Sequence, residues 1–199
     1  MDIIPIYALL PHHLAHLCGL TGARLGHIST DGGFSGSKGQ YIEDDIPDAR
    51  DLYGLSKFMG EVIAEHAIIL RTSMLGPELQ GTNGLLAWFL AQREKCNCFS
   101  KVIFSGLPTV VLAKIIRDYV IPNPELFGIY HVAAEPITKF DLLKLIAEKY
   151  GKTIELVAVN QPVCDRSLNP MRFREATGYI APDWLELIRT MHDYKLMDE

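Results

Sequence analysis

The chain has 199 residues, of which 48% are apolar and 22% charged, a balance that excludes wholesale disorder and collagen-like or low-complexity architecture. Its length suits one ordinary domain or two small ones, with a core that needs no disulfide framework. Nineteen basic against twenty-four acidic residues leave a net charge of −5, which argues against a nucleic-acid footprint and fits a neutral or locally charged small ligand.

Four cysteines, Cys18, Cys96, Cys98 and Cys164, follow no repeating pattern and point to a reducing, cytoplasmic setting. Met1-Asp2-Ile3-Ile4-Pro5 places an acid where an export signal carries Lys or Arg, so no such signal is expected. The longest apolar runs, such as Ala67-Ile68-Ile69-Leu70, fall far short of the roughly 18 to 20 residues that cross a bilayer, and no membrane insertion is expected.

In chain order, Pro11 to Cys18 spaces Leu14, Leu17 and Cys18 as one helical face, with Gly19 and Gly22 as stop signals. Residues 23 to 30 predict a strand, followed by a Gly, Ser, Lys and Asp loop through Asp51. From Asp51 to about His66, Leu52, Leu55, Met59, Val62 and Ile63 recur at helical spacing, and Ala67 to Ser73 reads as a strand covered on both faces. Asn83 is placed to cap a helix through about Lys95, with Leu85, Leu86, Phe89 and Leu90 inward, and Thr109 to cap another through Tyr119. Gly128 to Ala134 predicts a strand, and Thr138-Lys139-Phe140-Asp141 a capping-box-like start to a helix ended by Gly151. Ile154 to Val159 predicts a strand, Asn169-Pro170 a brief helix closed by Gly178, and Pro182 a last helix through His192. Alternating helices and strands make the class α/β.

The sharpest chemical signal is Tyr53-Gly54-Leu55-Ser56-Lys57, preceded by Ser29-Thr30-Asp31 at a strand end. On a helix Tyr53 and Lys57 stand at i and i+4, phenol and ammonium on one face. A phenol with an ordinary pKa near 10 is a poor acid at neutral pH, and a nearby cation lowers it by about 1 to 3 units. A hydroxyl from Ser29 or Thr30 could hold a carbonyl while Tyr53 supplies the proton.

These motifs resemble the extended short-chain dehydrogenase/reductase family, in the branch that includes dTDP-4-dehydrorhamnose reductase and related sugar-nucleotide reductases. The likeness runs through His27-Ile28-Ser29-Thr30-Asp31, Phe34-Ser35-Gly36, Tyr41-Ile42-Glu43-Asp44-Asp45, Tyr53 to Lys57, Gly60-Glu61 and Leu70-Arg71-Thr72-Ser73. It continues in Gly128-Ile129-Tyr130-His131-Val132, Asp165-Arg166-Ser167-Leu168 and Phe173 to Gly178. The resemblance implies that Tyr53 is the general acid, that Lys57 binds the nicotinamide ribose and tunes Tyr53, and that Thr30 with Ser29 orients the keto group. Ser29, Tyr53 and Lys57 would then meet the cofactor, NADP(H) or NAD(H), and Thr30, Ser73, Met74 and Arg166 the substrate, a nucleotide-linked 4-keto-6-deoxy sugar.

The implied architecture is the C-terminal part of a doubly wound, Rossmann-like parallel sheet with an interleaved, smaller α-rich substrate lobe. Residues 1–73 and 104–134 would belong to the sheet domain, and 74–103 and 135–199 to the lobe. A family member opens with a glycine-rich strand, turn and helix for the pyrophosphate. Here the Ser-Thr-Asp strand begins near residue 23, so about three βα units, ~90 residues at roughly 30 each, do not precede it. Gly19 to Gly26 carries several glycines but follows a helix and enters a strand, the reverse of the required order. Tyr7 or its neighbour stands where relatives often carry an asparagine, Gly32-Gly33 where they carry larger side chains, and Met74 where an aromatic is common.

The alternative is a non-catalytic binding or regulatory protein, since the family includes a regulatory subunit that partners methionine adenosyltransferase, or an inactive fragment. On either reading a homodimer or protein partner is expected to cover the sheet edge that missing strands expose. His12, His13 and His16 lack the glutamate of a zinc helix, so no metal site is expected. Cys96-Asn97-Cys98 is too short for a redox motif and reads as an inert loop. Asp44-Asp45 reads as a solvated turn, and Arg166, Arg172 and Arg174 suit either a diphosphate or pairing with Glu175 and the other C-terminal acids.

Overall fold

The structure is a computed structural model and describes residues 3–78 and 81–195; Met1 and Asp2, at the start of the N-terminal segment, lie outside them. A π-helical stretch, Ile4–Leu9, runs directly into α1 (Leu10–Thr21), with Pro5 in its first turn. Gly22 ends α1 in the left-handed conformation, φ 70°, and returns its N–H to the Cys18 carbonyl. The apolar spacing places Leu14 and Leu17 inward, but both are exposed, and Ala8, Pro11 and Ala15 are buried instead. The reason is close approach to α2 (Leu52–Met59): a Cβ on Gly60 would run into the Tyr7 carbonyl oxygen. Around that contact His12 Nε2 bonds the Met59 carbonyl at 2.7 Å, and His66 Nε2 bonds that of Ala15 at 2.8 Å.

The same tight packing corrects the face expected for α2. The helix stops at Gly60 rather than near His66, buries Gly54 and Ser56, and leaves Leu52, Leu55 and Met59 exposed. Asp51 caps it by accepting the Gly54 N–H at 2.8 Å.

Three parallel strands form the principal sheet, β1 (Leu25–Thr30), β2 (Ala67–Thr72) and β7 (Gly128–His131), in the order β1-β2-β7. Every residue of β2 is buried, as its apolar run requires of a strand covered on both faces. Register sets Ser29 opposite Arg71, and Arg71 opposite His131. On the far side of β1 no strand pairs among the described residues.

The rest is built from α3 (Leu85–Ala91), α4 (Thr109–Ile115, continued by a π-type turn Ile116–Val120), α5 (Lys139–Lys149), α6 (Met171–Thr177) and α7 (Trp184–Lys195). Small sheets tie them together: β3 (Met74–Leu75) with β6 (Leu107–Pro108), β4 (Lys95–Phe99) with β9 (Glu155–Val159), and β10 (Cys164–Asp165) with β5 (Val102–Phe104) and β8 (Ile137–Thr138). Thr138 caps α5 as expected, accepting the Asp141 N–H at 3.0 Å. Two other expected caps are corrected. Gly84, not Asn83, precedes α3, and Pro108 precedes α4, so Thr109 is its first residue. Cys96-Asn97-Cys98 is a strand, not a loop. Alternation buries both thiols, 3.7 Å apart, while Asn97 faces out. All four cysteines are free thiols.

One continuous core joins Ile68 and Leu70 of the sheet to Phe89, Phe104, Leu112, Ile115, Leu142, Ile146, Phe173 and Leu187. The loop after β1 is pinned at the sheet's C-terminal end: Tyr41 bridges Leu168, and the Gly36 carbonyl accepts the Asp165 N–H. The chemistry therefore gathers at that end.

Candidate functional site

Thr30 and Ser29 end β1, and strand alternation sends their side chains to opposite faces. Thr30 Oγ1 accepts the Gly32 N–H at 3.0 Å and faces the Tyr53 phenol. Gly32 makes this approach possible, because a Cβ there would lie 3.2 Å from Thr30 Oγ1 and 3.5 Å from the Tyr53 ring. Ser29 is corrected. It is buried and donates to Glu61 at 2.6 Å, so it does not share a carbonyl with Thr30.

Tyr53 is 45% exposed, with its ring edge-on to Tyr7 at 5.7 Å between centroids. Burial of its inner side raises the phenol above its ordinary value, against the lowering effect of the Thr30 hydroxyl. Lys57 follows one turn later, and its Nζ donates to the Ile28 carbonyl at 2.6 Å and sits 5.3 Å from the Tyr7 ring centroid. Burial lowers the ammonium, with Glu61 opposing. The expected lowering of Tyr53 by Lys57 is thus absent in this arrangement.

Asp31, whose charge acts on the Tyr53 phenol, also lines a cleft of about 240 Å³ with Ser73, Met74, Phe104, Lys139 and Arg166, among others, which Thr30 does not line. Ser73, Met74 and Arg166 of the expected substrate residues meet there, and Asp31 and Lys139 join them. Enclosure raises the Asp31 carboxyl to about 6, with Arg166 the main opposing influence. Arg166 also walls a second cleft of about 600 Å³ with Ser35, Ser37, Asp48, Arg50 and Asp51, and its buried Nε has no hydrogen-bond partner among the described residues. Arg172 is engaged elsewhere, on Asp44 at 2.7 Å and Glu43 at 3.7 Å, so Asp44 is paired rather than simply solvated.

Behind Ser29 lies a buried polar network that the sequence motifs do not disclose. Arg71 forms a two-pronged bond to Glu61, Nε to Oε1 at 2.8 Å and Nη2 to Oε2 at 2.7 Å, with side chains 3% and 4% exposed. Its Nη1 donates to His131 Nε2 at 3.2 Å, while His131 Nδ1 faces the Tyr41 carbonyl at 2.9 Å and the His131 backbone N–H donates to the Glu43 carboxylate. Burial, then the Arg71 charge, pushes His131 down to about 3, so it stays neutral with Nδ1 protonated. The signal that exposes this rung is the register of Ser29, Arg71 and His131.

Among the described residues no group of three or more His, Cys, Asp or Glu is arranged to hold a metal, and no helix is long and apolar enough to cross a membrane. A family model described as the RmlD substrate binding domain matches residues 4–173. The chain belongs to that family. Its RmlD-type fold is similar to that of a hypothetical dTDP-4-dehydrorhamnose reductase from Sulfolobus tokodaii, with 29% identity, TM-score 0.75 and coverage of 90% of this chain and 68% of that one. A dTDP-4-dehydrorhamnose reductase from Bacillus anthracis, solved in complex with NADP, shares the fold at TM-score 0.80 and 24% identity over 96% of this chain and 72% of the other. Among curated proteins, methionine adenosyltransferase 2 subunit beta of Danio rerio is 31% identical over 143 residues, and that of Xenopus tropicalis 27% over 151. The alignments cover 65% of this RmlD-family chain in both cases, but only 44% and 43% of those relatives.

Proposed function

We propose that this chain carries the acid–base and substrate-binding half of an NAD(P)H-dependent reductase of a nucleotide-linked keto sugar. The observation that carries the reading is the convergence of Tyr53, Thr30 and the Asp31–Ser73–Met74–Arg166 cleft at one end of the sheet. The exposed phenol of Tyr53 would hand its proton to the carbonyl oxygen, and Thr30 would hold that oxygen in place. Arg166, with a buried Nε unpaired and a wall in both clefts, suits the diphosphate that joins sugar to nucleoside. Met74 and Ser73 would flank the sugar ring.

A nicotinamide cofactor fits the residues present only at its ribose end, where Tyr53 and Lys57 offer a hydroxyl and an ammonium on one helix face. When bound, it supplies the hydride. Among the described residues no short glycine-rich turn passes directly from a strand into a helix to receive the pyrophosphate; the glycines after β1 lie in a long loop that ends at Asp51. We read residues up to 73 and 104–134 as the sheet domain and 74–103 with 135–199 as the substrate lobe. We further infer a reducing, cytoplasmic setting, in keeping with four free thiols.

A second reading, a non-catalytic subunit that binds a protein partner, is favoured by the likeness to methionine adenosyltransferase 2 subunit beta. On either reading the exposed leucines of α1, Leu14, Leu17 and Leu20, are covered by a second copy or another protein. A monodisperse monomer at micromolar concentration in sedimentation would refute the covering.

Fluorescence titration of the purified chain with NADPH and NADH separates the two readings. Saturable binding that Lys57→Met abolishes, with keto-sugar reduction lost in Tyr53→Phe, is the expected result. Absence of binding up to millimolar cofactor would overturn the reductase reading for this chain and leave the partner reading standing.

A further inference from the structure

Leu25 donates its N–H to the His66 carbonyl beside β2, so the alternate residues Gly26, Ile28 and Thr30 turn their backbone groups to the unpaired edge of β1. The Ile28 carbonyl on that edge is the acceptor of Lys57 Nζ. The ammonium also meets a ring there: Tyr7, 5.3 Å away, offers its π-face to the cation and lies perpendicular to Tyr53.

Tyr7 is itself fixed. It lies in the π-helical stretch Ile4–Leu9, and its backbone carbonyl presses on Gly60, where a Cβ has no room. Wider helical turns of this kind recur where a side chain must be re-aimed. Tyr7, Tyr53, Lys57 and Gly60 therefore form one contact between the first helix and α2.

We propose that Tyr7 is a positioning residue for the Tyr53–Lys57 pair, its ring seating the Lys57 ammonium on the Ile28 carbonyl on the side of β1 away from β2. The proposal goes beyond the reductase reading and rests on contacts that exist whether or not the chain reduces anything. Its consequence is that the ammonium, committed to the edge, leaves the phenol high; a Lys57 freed from the ring samples positions nearer Tyr53 and lowers it. The other groups facing the phenol are Thr30, Asp31, Asp51 and the Tyr7 hydroxyl, and those near Lys57 include Glu61 and His27.

The test is a carbon-13 tyrosine NMR titration of Tyr53, assigned by the loss of its signal in Tyr53→Phe. Tyr7→Phe is the reference because it removes the second phenol and keeps the ring. Tyr7→Leu removes the ring and is expected to titrate Tyr53 about 0.5 to 1 pH unit below Tyr7→Phe. In a Lys57→Met background the difference should vanish. Equal midpoints in the two variants, or a difference that persists without Lys57, would overturn the proposal. Neither outcome depends on cofactor binding or turnover, so failure of the reductase reading is scored separately. If Tyr7→Leu unfolds, Tyr7→Met, with a flexible apolar side chain of similar reach, takes its place in the same comparison.

Discussion

Substitution of Arg71 by methionine should be among the most damaging single changes in this chain. The guanidinium is 3% exposed and is the shared partner of Glu61, His131 Nε2 and the Glu43 carbonyl. Methionine fills the stem but leaves the Glu61 carboxylate buried with, among the described residues, only Ser29 Oγ to bond, and leaves His131 Nε2 without the Arg71 donor. Removing one partner of a buried ion pair costs about 3 to 5 kcal/mol, a large part of the 5 to 15 kcal/mol available to an ordinary domain. With a urea m-value of about 2 kcal/mol/M, the midpoint should fall by roughly 2 M. Taking the charge away on both sides, in Glu61→Leu/Arg71→Met, should recover most of that loss, because the cost is a stranded charge rather than a missing bond. Urea unfolding followed by circular dichroism measures both. A loss below about 1 kcal/mol in Arg71→Met, or a double variant no better than the single, would refute the reasoning.

His131 and Asp31 give opposite pH dependences. The folded pKa of His131, about 3, lies below its unfolded 6.5, so the unfolded chain binds the extra proton between these values. Its contribution is complete above pH 6.5 and is lost on acidification toward pH 3, by at most about 4 to 5 kcal/mol. Urea midpoints from pH 7 to 4 should fall more shallowly in His131→Asn, and an unchanged slope would exclude the residue as the cause. Asp31, raised from 3.8 to about 6, behaves the other way: its contribution is present below pH 3.8 and lost as pH rises through 6. Asp31→Asn should therefore stabilise the chain at pH 7, by up to about 3 kcal/mol, and leave it unchanged near pH 3.5. Thermal melts at the two pH values check this, and equal shifts at both would sink it.

Residues whose behaviour is local are legible in the amino-acid sequence alone. Gly22, Gly151 and Gly178 adopt positive φ at the helix ends where their lack of a side chain is needed. Thr138 and Asp141 close a cap within four residues, and Tyr53 and Lys57 share a helix by spacing alone. Two adjacent hydroxyls, Ser29 and Thr30, are equally suited to one carbonyl by residue type, and only the pleat of β1 turns one toward Tyr53 and the other to Glu61. The Ser29–Arg71–His131 rung depends on the register of three strands far apart in the chain, which no window of sequence contains.

The helices α1 and α2 show a different limit. Their apolar spacing is genuine, yet Leu14, Leu17, Leu52, Leu55 and Met59 face outward while alanine, glycine and serine face inward. Periodicity reports that a helix has an apolar stripe, not which surface the stripe is made for. The two helices meet each other through small residues because Gly60 admits the Tyr7 carbonyl, and that contact also brings Tyr7 against Tyr53 and Lys57. Their larger apolar side chains are thereby turned outward. The geometry that assembles the Tyr53–Lys57 pair and the geometry that turns the apolar stripes outward are thus one arrangement, so a change that loosens α1 from α2 should disturb Lys57 and the exposed apolar face together.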